Sequence, residues 1–255
     1  MKHSLIMCFL LLSTILIAQE LSVVHLHNDY LIKDKILSRA LEHQVGRVEV
    51  DVRPYKGKLV VSHGPFNLKS KKFLDDFYFN RLLDHFNKDV ISASDSLSPI
   101  TIFIDIKSKP DIALKLLRQL VDKYGSWIYR YDLDEETNRG GQIKIVLSGK
   151  LPIKGLTIED FEFLRLDGDF SKTYPSSILP YITHMSCPIK VAKRISNNHL
   201  KNLVNSAHYY NRTARFYKVD HTKVNWKMLL DLEVDFINID DNLNEFIHFL
   251  KEQKK

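Results

Sequence analysis

Short runs rich in β-branched residues alternate along the sequence with longer runs of helical periodicity. The short runs predict strands at 21–26, 47–52, 100–106, 142–147, 163–166, 181–185, 214–219 and 236–239, and an additional strand at 58–62 after a Lys-Gly turn. The longer runs predict helices at 33–44, 71–86, 111–124, 196–210, 224–232 and 243–251. Regular alternation of this kind is typical of a parallel sheet, and the strand count favours an α/β fold with a single (β/α)8 TIM-type barrel.

The first residues of the chain have the pattern of a signal peptide. Lys2 is followed by an uncharged apolar run at residues 5–18 that ends on the small residue Ala18. This run is shorter than the ~20 residues that a membrane-spanning helix needs. We therefore predict a signal peptide at 1–18, one barrel domain at 19–255, and a secreted or periplasmic protein. An uncleaved membrane anchor is the alternative interpretation.

Composition and charge narrow the function only slightly. Hydrophobic residues make up 44% of the 255 residues, which is enough for one large core. Cleavage would leave Cys187 as the remaining cysteine, so no internal disulfide is expected. The formal net charge of +6 suits an anionic lipid surface or a phosphate-bearing substrate, and it also suits solubility alone. We predict no nucleic-acid binding, because no clustered basic and aromatic stripe accompanies the charge.

The strand at 47–52 places charged side chains on one face. Because side chains alternate along a strand, its three valines share one face, and Arg47, Glu49 and Asp51 share the face that points into the barrel. Two inward carboxylates repel each other and are costly to desolvate. They need a compensating cation, and oxygen ligands favour Ca²⁺ or Mg²⁺. An ion pair with Arg47 or with a lysine from another strand is the alternative.

The strand at 100–106 repeats this pattern. Its isoleucines share one face, and Asp105 and Lys107 share the other at the C-terminal end of the strand. Active sites of barrels lie at that end. Asp105 is therefore a candidate third carboxylate ligand of the divalent metal. Lys107 is a candidate substrate-binding residue that holds a phosphate oxygen, with a plain salt bridge as the alternative.

Two histidines flank these carboxylates in the sequence. His27 ends the first strand, and His63 follows the additional strand. Two histidines beside a bound metal form an acid–base pair that can split a phosphodiester. Arg215 lies on an inward face of the seventh strand, where it is a candidate clamp for a substrate phosphate.

This ordered set resembles the superfamily of phosphatidylinositol-specific phospholipases C and glycerophosphodiester phosphodiesterases. The resemblance is carried by His27-Asn28-Asp29-Tyr30, by Val48-Glu49-Val50-Asp51-Val52, by Val61-Ser62-His63-Gly64, and by a last strand at 234–241 that is similar to a poorly characterised secreted branch. The resemblance covers nearly all of the chain after the signal peptide, and its motifs are most specific in the first half.

The resemblance implies a metal-dependent phosphodiesterase. It assigns His27 as the general base and His63 as the general acid, and the metal ligands would be Asn28, Glu49, Asp51 and Asp105. The substrate would be a small-molecule or lipid phosphodiester, attacked by its own neighbouring hydroxyl to give a cyclic phosphate. Peripheral contact with a membrane is an expectation for a lipid substrate, and no protein partner is predicted.

Two departures from the family pattern bear on the substrate and the metal. Most members carry Glu at the position of Asp105, although related venom-type phospholipases D carry Asp. Glycerophosphodiesterases have His-Arg-Gly at the first strand, where this chain has His27-Asn28-Asp29. Two other functions stay open: a non-catalytic secreted barrel that binds a ligand, and a metal-dependent amidohydrolase in which His25 and His27 form a zinc motif.

Overall fold

The computed structural model describes residues 21–27, 29–31, 37–70, 72–89, 98–131, 141–190 and 197–253. The predicted signal peptide at 1–18 and the predicted metal ligand Asn28 lie outside the described residues. The described helices are α1 (Ser38–Glu42), α2 (Asn80–Asp89), α3 (Pro110–Tyr124), α4 (Asn197–Tyr209), α5 (Lys223–Asp231) and α6 (Leu243–Glu252). Within these residues, no helix combines the length and apolarity needed to cross a bilayer.

Eight of the described strands close into a parallel barrel. The strands are β1 (Val24–Leu26), β2 (Arg47–Tyr55), β3 (Lys58–Val61), β4 (Ile100–Ile106), β5 (Ile143–Gly149), β6 (Leu164–Asp169), β7 (Ile182–Pro188), β8 (Thr213–Tyr217) and β9 (Phe236–Ile239). Strand β1 pairs in parallel with both β2 and β9, which closes the ring, and β3 adds an antiparallel edge to β2. The prediction of a single (β/α)8 TIM-type barrel is confirmed.

The outer faces of the strands form the main core of the protein. Val48, Val50 and Val52 are fully buried in the large apolar cluster that the strands share with the helices. Strand β4 lies beside β2 with Val50 opposite Ile104, so the outward isoleucines continue the same layer. This packing turns Glu49, Asp51 and Asp105 into the barrel, as their positions in the sequence predict.

Aromatic side chains fill the barrel interior on the N-terminal side of the inward carboxylates, which is called the lower side below. The rings of His25 and Phe103 meet edge-on with centroids 4.6 Å apart, and the rings of Phe103 and His184 lie 5.0 Å apart. Phe236 completes this group, and the Arg47 guanidinium lies 4.0 Å from the centre of its ring. Arg47 is therefore held below the inward carboxylates and is not their ion-pair partner.

Several predicted element boundaries differ from the structure. Residues Leu21–Val23 form a 3₁₀ turn, where the Ser22 carbonyl accepts a hydrogen bond from the Arg47 guanidinium, and the strand covers Val24–Leu26. The predicted helix at 71–86 begins with a π-helical turn at Asp75–Phe79 before α2. The predicted helix at 33–44 is described only from residue 37 onward, where α1 is short.

Candidate active site

Three carboxylates meet where the neighbouring strands β2 and β4 pair, with Asp105 near the C-terminal end of β4 and Glu49 and Asp51 in the first half of the longer β2. Asp51 lies directly opposite Asp105 in the parallel register, and Glu49 is one inward position below Asp51. Each of the three offers an oxygen, and these oxygens all lie within 4.8 Å of one another. Among the described residues, the group that could hold a metal ion consists of these three carboxylates, which the sequence pattern predicts.

Asp51 is fully buried and accepts bonds from two sides. Its Oδ2 accepts a hydrogen bond from the Tyr30 hydroxyl at 2.7 Å and lies 2.5 Å from Nδ1 of His63. Its Oδ1 lies 3.0 Å from Nζ of Lys107. Tyr30 follows the first strand and His63 follows β3, so Asp51 fixes the loops on both sides of the mouth.

Asp105 has one oxygen that a cation would satisfy. Its Oδ2 lies 2.5 Å from Nζ of Lys107, whereas its buried Oδ1 has no hydrogen-bond partner among the described residues. Burial and the neighbouring Glu49 charge raise the pKa of Asp105. Oδ1 of Asp51 also has no hydrogen-bond partner among the described residues, although Nζ of Lys107 lies 3.0 Å from it. Three clustered carboxylates with two such oxygens fit a hard divalent cation such as Ca²⁺ or Mg²⁺. Lys107 supplies part of the compensating charge, as the ion-pair alternative expects.

Gly149 forms the wall behind Asp105, and its replacement gives a specific prediction. Gly149 has a φ of +72°, and a Cβ atom there would lie 2.0 Å from Oδ1 of Asp105. A non-glycine residue in the left-handed backbone conformation costs roughly 1–2 kcal/mol, and we expect Gly149→Ala to lower the free energy of unfolding by more than this. We also expect it to weaken metal binding, because Asp105 must shift. Denaturant unfolding and calorimetry with Mg²⁺ or Ca²⁺ measure the two effects.

Gly57→Ala is the matched control for this substitution. Gly57 has a similar φ of +76°, but a Cβ atom there meets nothing within 4 Å. The control therefore carries the backbone strain without the clash. Metal affinity that is equal in the two variants would show that the wall behind Asp105 does not hold it in place.

Glu49 is held from three directions. Its Oε2 lies 2.9 Å from Nε2 of His25 and forms an ion pair with Nη1 of Arg215, while its Oε1 lies 3.6 Å from Nε2 of His27. Burial opposes ionisation, but Arg215 and His25 more than offset it and hold the pKa of Glu49 well below its ordinary value. Burial and the Arg215 charge lower the pKa of His25 to about 3, so His25 is neutral, and its Nε2 lies in contact with both Oε2 of Glu49 and Nη1 of Arg215, the latter at 2.8 Å.

Arg215 lies beneath the carboxylates in the barrel interior. The residue is 4% exposed, and its Nη2 lies 2.8 Å from Oδ2 of Asp167. Ser148 and Ser186 donate to the same Asp167 oxygen, at 3.2 and 3.0 Å. The role of Arg215 in binding substrate stays a prediction, and its observed contacts hold Glu49 from below.

His27 is oriented by an aspartate from the opposite end of the chain. Its Nδ1 donates to Oδ1 of Asp240 at 2.7 Å. Burial lowers the pKa of His27, but the bond to Asp240 and the charge of Glu49 outweigh burial, and the net shift is upward. In the sequence, Asp240 and Asn238 are evident only as polar residues on one face of the last strand. Closure of the barrel, which places β9 beside β1, brings Asp240 to His27.

His63 stands on the other side of the cluster. Its side chain is 69% exposed, and its Nδ1 lies 2.5 Å from Oδ2 of Asp51. Arg53 fixes the backbone there by donating to the His63 carbonyl from Nε at 3.2 Å and Nη2 at 2.9 Å. Both histidines are thus anchored through Nδ1 by a carboxylate, and Nε2 of His27 lies 3.6 Å from Oε1 of Glu49 on the side of the carboxylate cluster.

The fold and the site define a (β/α)8-barrel protein with an acidic, histidine-flanked cluster at the C-terminal mouth of its strands. Residues 17–162 match the AIM6-like phosphodiesterase domain. This match covers more than half of the chain, so the protein belongs to the AIM6-like phosphodiesterase family, and a phosphodiesterase activity in general is supported. The curated proteins contain no match to the chain.

Proposed function

We propose that the protein is a metal-dependent phosphodiesterase that cleaves a phospholipid head group or a glycerophosphodiester, in the manner of the phospholipase C and glycerophosphodiesterase families. The observation that carries the proposal is the pair of carboxylate-anchored histidines, His27 on Asp240 and His63 on Asp51, beside three clustered carboxylates. Membership in a phosphodiesterase family supports the reaction class.

The two histidines would share the proton transfers. Nε2 of His27 accepts the proton of the attacking hydroxyl, and Nε2 of His63 donates a proton to the leaving oxygen. Asp240 and Asp51 lie on Nδ1 of the two rings and would keep each ring in the tautomer that presents Nε2 to the substrate. Attack of water on a cyclic product would reverse the two roles and restore the starting protonation.

The carboxylates would hold the cation. Glu49, Asp51 and Asp105, with Asn28 as the fourth predicted ligand, would bind Ca²⁺ or Mg²⁺. The cation supplies positive charge against the charge that develops on the phosphate. Lys107 is 20% exposed between Asp51 and Asp105, and from that position it would bind a phosphate oxygen.

Exposed apolar side chains support a lipid substrate and contact with a membrane surface. Leu31, in the turn after the first strand, is 64% exposed, and Phe66, in the turn after His63, is 94% exposed. Both turns follow strands at the end of the barrel where the carboxylates lie. A predicted secretory signal at 1–18 would place this activity outside the cytoplasm.

The test is hydrolysis by the metal-stripped protein before and after metal is restored. We would assay bis(p-nitrophenyl) phosphate, glycerophosphodiesters and anionic phospholipid vesicles, with EDTA and then with Ca²⁺ or Mg²⁺. We expect metal-restored turnover that falls by roughly 10²- to 10⁴-fold in His63→Ala, which loses general acid catalysis. His248→Ala is the matched control, because His248 is 71% exposed on α6.

The proposal would be overturned if both of the following results were obtained. One is absence of turnover on every ester of the panel with either metal. The other is absence, by calorimetry, of Ca²⁺ or Mg²⁺ binding that depends on Glu49 and Asp51. The non-catalytic ligand-binding barrel would then be the better interpretation.

A further inference from the structure

A second histidine lies on the carboxylate that orients His27. Oδ1 of Asp240 accepts the bond from His27, and Oδ2 of Asp240 lies 3.4 Å from Nε2 of His221. His221 is 26% exposed and precedes α5, whose first turn is capped by the Thr222 side chain. The three side chains form a continuous chain of contacts, His27–Asp240–His221.

The carboxylate of Asp240 is exposed enough for a second contact to affect its orientation. Its side chain is 44% exposed, so water competes for both of its oxygens. The backbone is already fixed: His27 donates its main-chain N–H to the Ile239 carbonyl at 2.9 Å, and Arg39 donates to the Asp240 carbonyl. The remaining freedom is rotation of the carboxylate, which would move Oδ1 away from His27. A cationic or N–H-bearing partner on Oδ2 opposes that rotation.

The surroundings of His221 favour the donor form at Nε2. The bond to Asp240 raises the pKa of His221, although burial works in the opposite direction. Asp240 itself has a lowered pKa, because the two histidines outweigh the effect of its burial. An ionised Asp240 between two N–H donors is therefore the stable arrangement.

We propose that His221 is a positioning residue of the active site that acts on His27 through Asp240. The inference rests on the proposed function for its kinetic consequence, since an ordered His27 is what proton transfer requires. His221 touches neither the carboxylate cluster nor His27 in the described contacts. Its effect is therefore expected on kcat, with KM and metal affinity unchanged.

The kinetic test compares His221→Ala with His221→Gln. We expect kcat of His221→Ala to fall about 10-fold, a fraction of the 10²- to 10⁴-fold that a general acid or base contributes. The Gln side chain carries an N–H donor at nearly the reach of Nε2, so we expect His221→Gln to retain most of the activity. His248→Ala again serves as the histidine control. A kcat within twofold of the parent in His221→Ala would overturn the proposal.

A double-mutant cycle tests whether the effect passes through Asp240. With Asp240→Ala as the background, the added His221→Ala substitution is expected to have no further effect on kcat. Independent losses that multiply would show instead that His221 acts by another route, and would overturn the proposal.

A measurement without substrate separates this inference from the proposed function. The Nδ1 proton of His27, bound to Asp240, is expected as a downfield proton resonance that disappears in His27→Ala. In His221→Ala this resonance is expected to broaden through faster exchange with water, and His221→Gln is expected to restore it. If the parent protein lacks turnover, the proposed function fails, but the resonance of the His27 Nδ1 proton still tests the positioning role of His221. An unchanged resonance in His221→Ala would overturn the positioning role.

Discussion

Glu49→Gln is expected to lower phosphodiester turnover by about 10²- to 10³-fold, the range seen when one charge-stabilising group of an active site is removed. The substitution keeps the volume of the side chain but removes the charge that faces His27 and the metal cluster. We expect calorimetry to show weaker Ca²⁺ or Mg²⁺ binding in parallel with the loss of turnover. Both measurements use the same protein preparation, so loss of one without the other is readily seen.

A matched control separates the site from a general effect of charge. Glu233→Gln removes the same charge from a side chain that is 73% exposed and paired with Lys201 at the surface. We expect metal affinity and turnover of this control to match those of the parent protein. Metal affinity in Glu49→Gln equal to that of the control would contradict a role for Glu49 as a ligand.

Arg215→Met is expected to give the largest loss of stability. Removal of one partner from a buried ion pair costs about 3–5 kcal/mol, because it leaves uncompensated charge in the interior. Here two carboxylates, Glu49 and Asp167, would lose their common partner. We would measure the free energy of unfolding with urea and compare it with Arg81→Met, at an exposed position on α2, where a change within about 0.5 kcal/mol is expected.

The loss in Arg215→Met is expected to depend on pH. In the parent protein the lowered pKa of Glu49 contributes stability above its unfolded value of 4.5, and this stability is lost as pH falls through the folded pKa. Without Arg215, burial raises the pKa of Glu49, so the variant loses stability as pH rises. The difference between parent and variant should therefore be larger at pH 8 than at pH 5. A difference below about 1 kcal/mol at pH 8 would contradict a buried, charged Glu49.

The sequence predicts those parts of the site that follow from alternation along a single strand. Glu49, Asp51 and Asp105 are inward positions of predicted strands whose outward positions are all valine or isoleucine, so their direction follows from the two-residue period. Adjacent strands of a parallel barrel then bring their ends together. His27 follows from the same argument, because it directly follows β1 at this end. His63 comes two residues after the antiparallel β3, which returns beside β2 with Val61 opposite Val52.

The partners of these residues could not be predicted, because they depend on closure of the barrel and on depth within it. Asp240 reaches His27 across 213 positions of the sequence, and only the pairing of β9 with β1 joins them. Arg215 has the predicted inward direction, but its level below Glu49 depends on the stagger of β8. Alternation fixes the face of a side chain and says nothing of its height along the barrel axis.

The aromatic layer beneath the site closes the barrel interior on the side away from the carboxylates. Phe103 and Phe236 are almost completely buried and, with His25 and His184, they fill the interior under the carboxylates. Nothing of the size of a phosphate can pass through such a layer, because protein interiors are packed as closely as organic crystals. A substrate must therefore enter, and both halves of it must leave, through the same mouth.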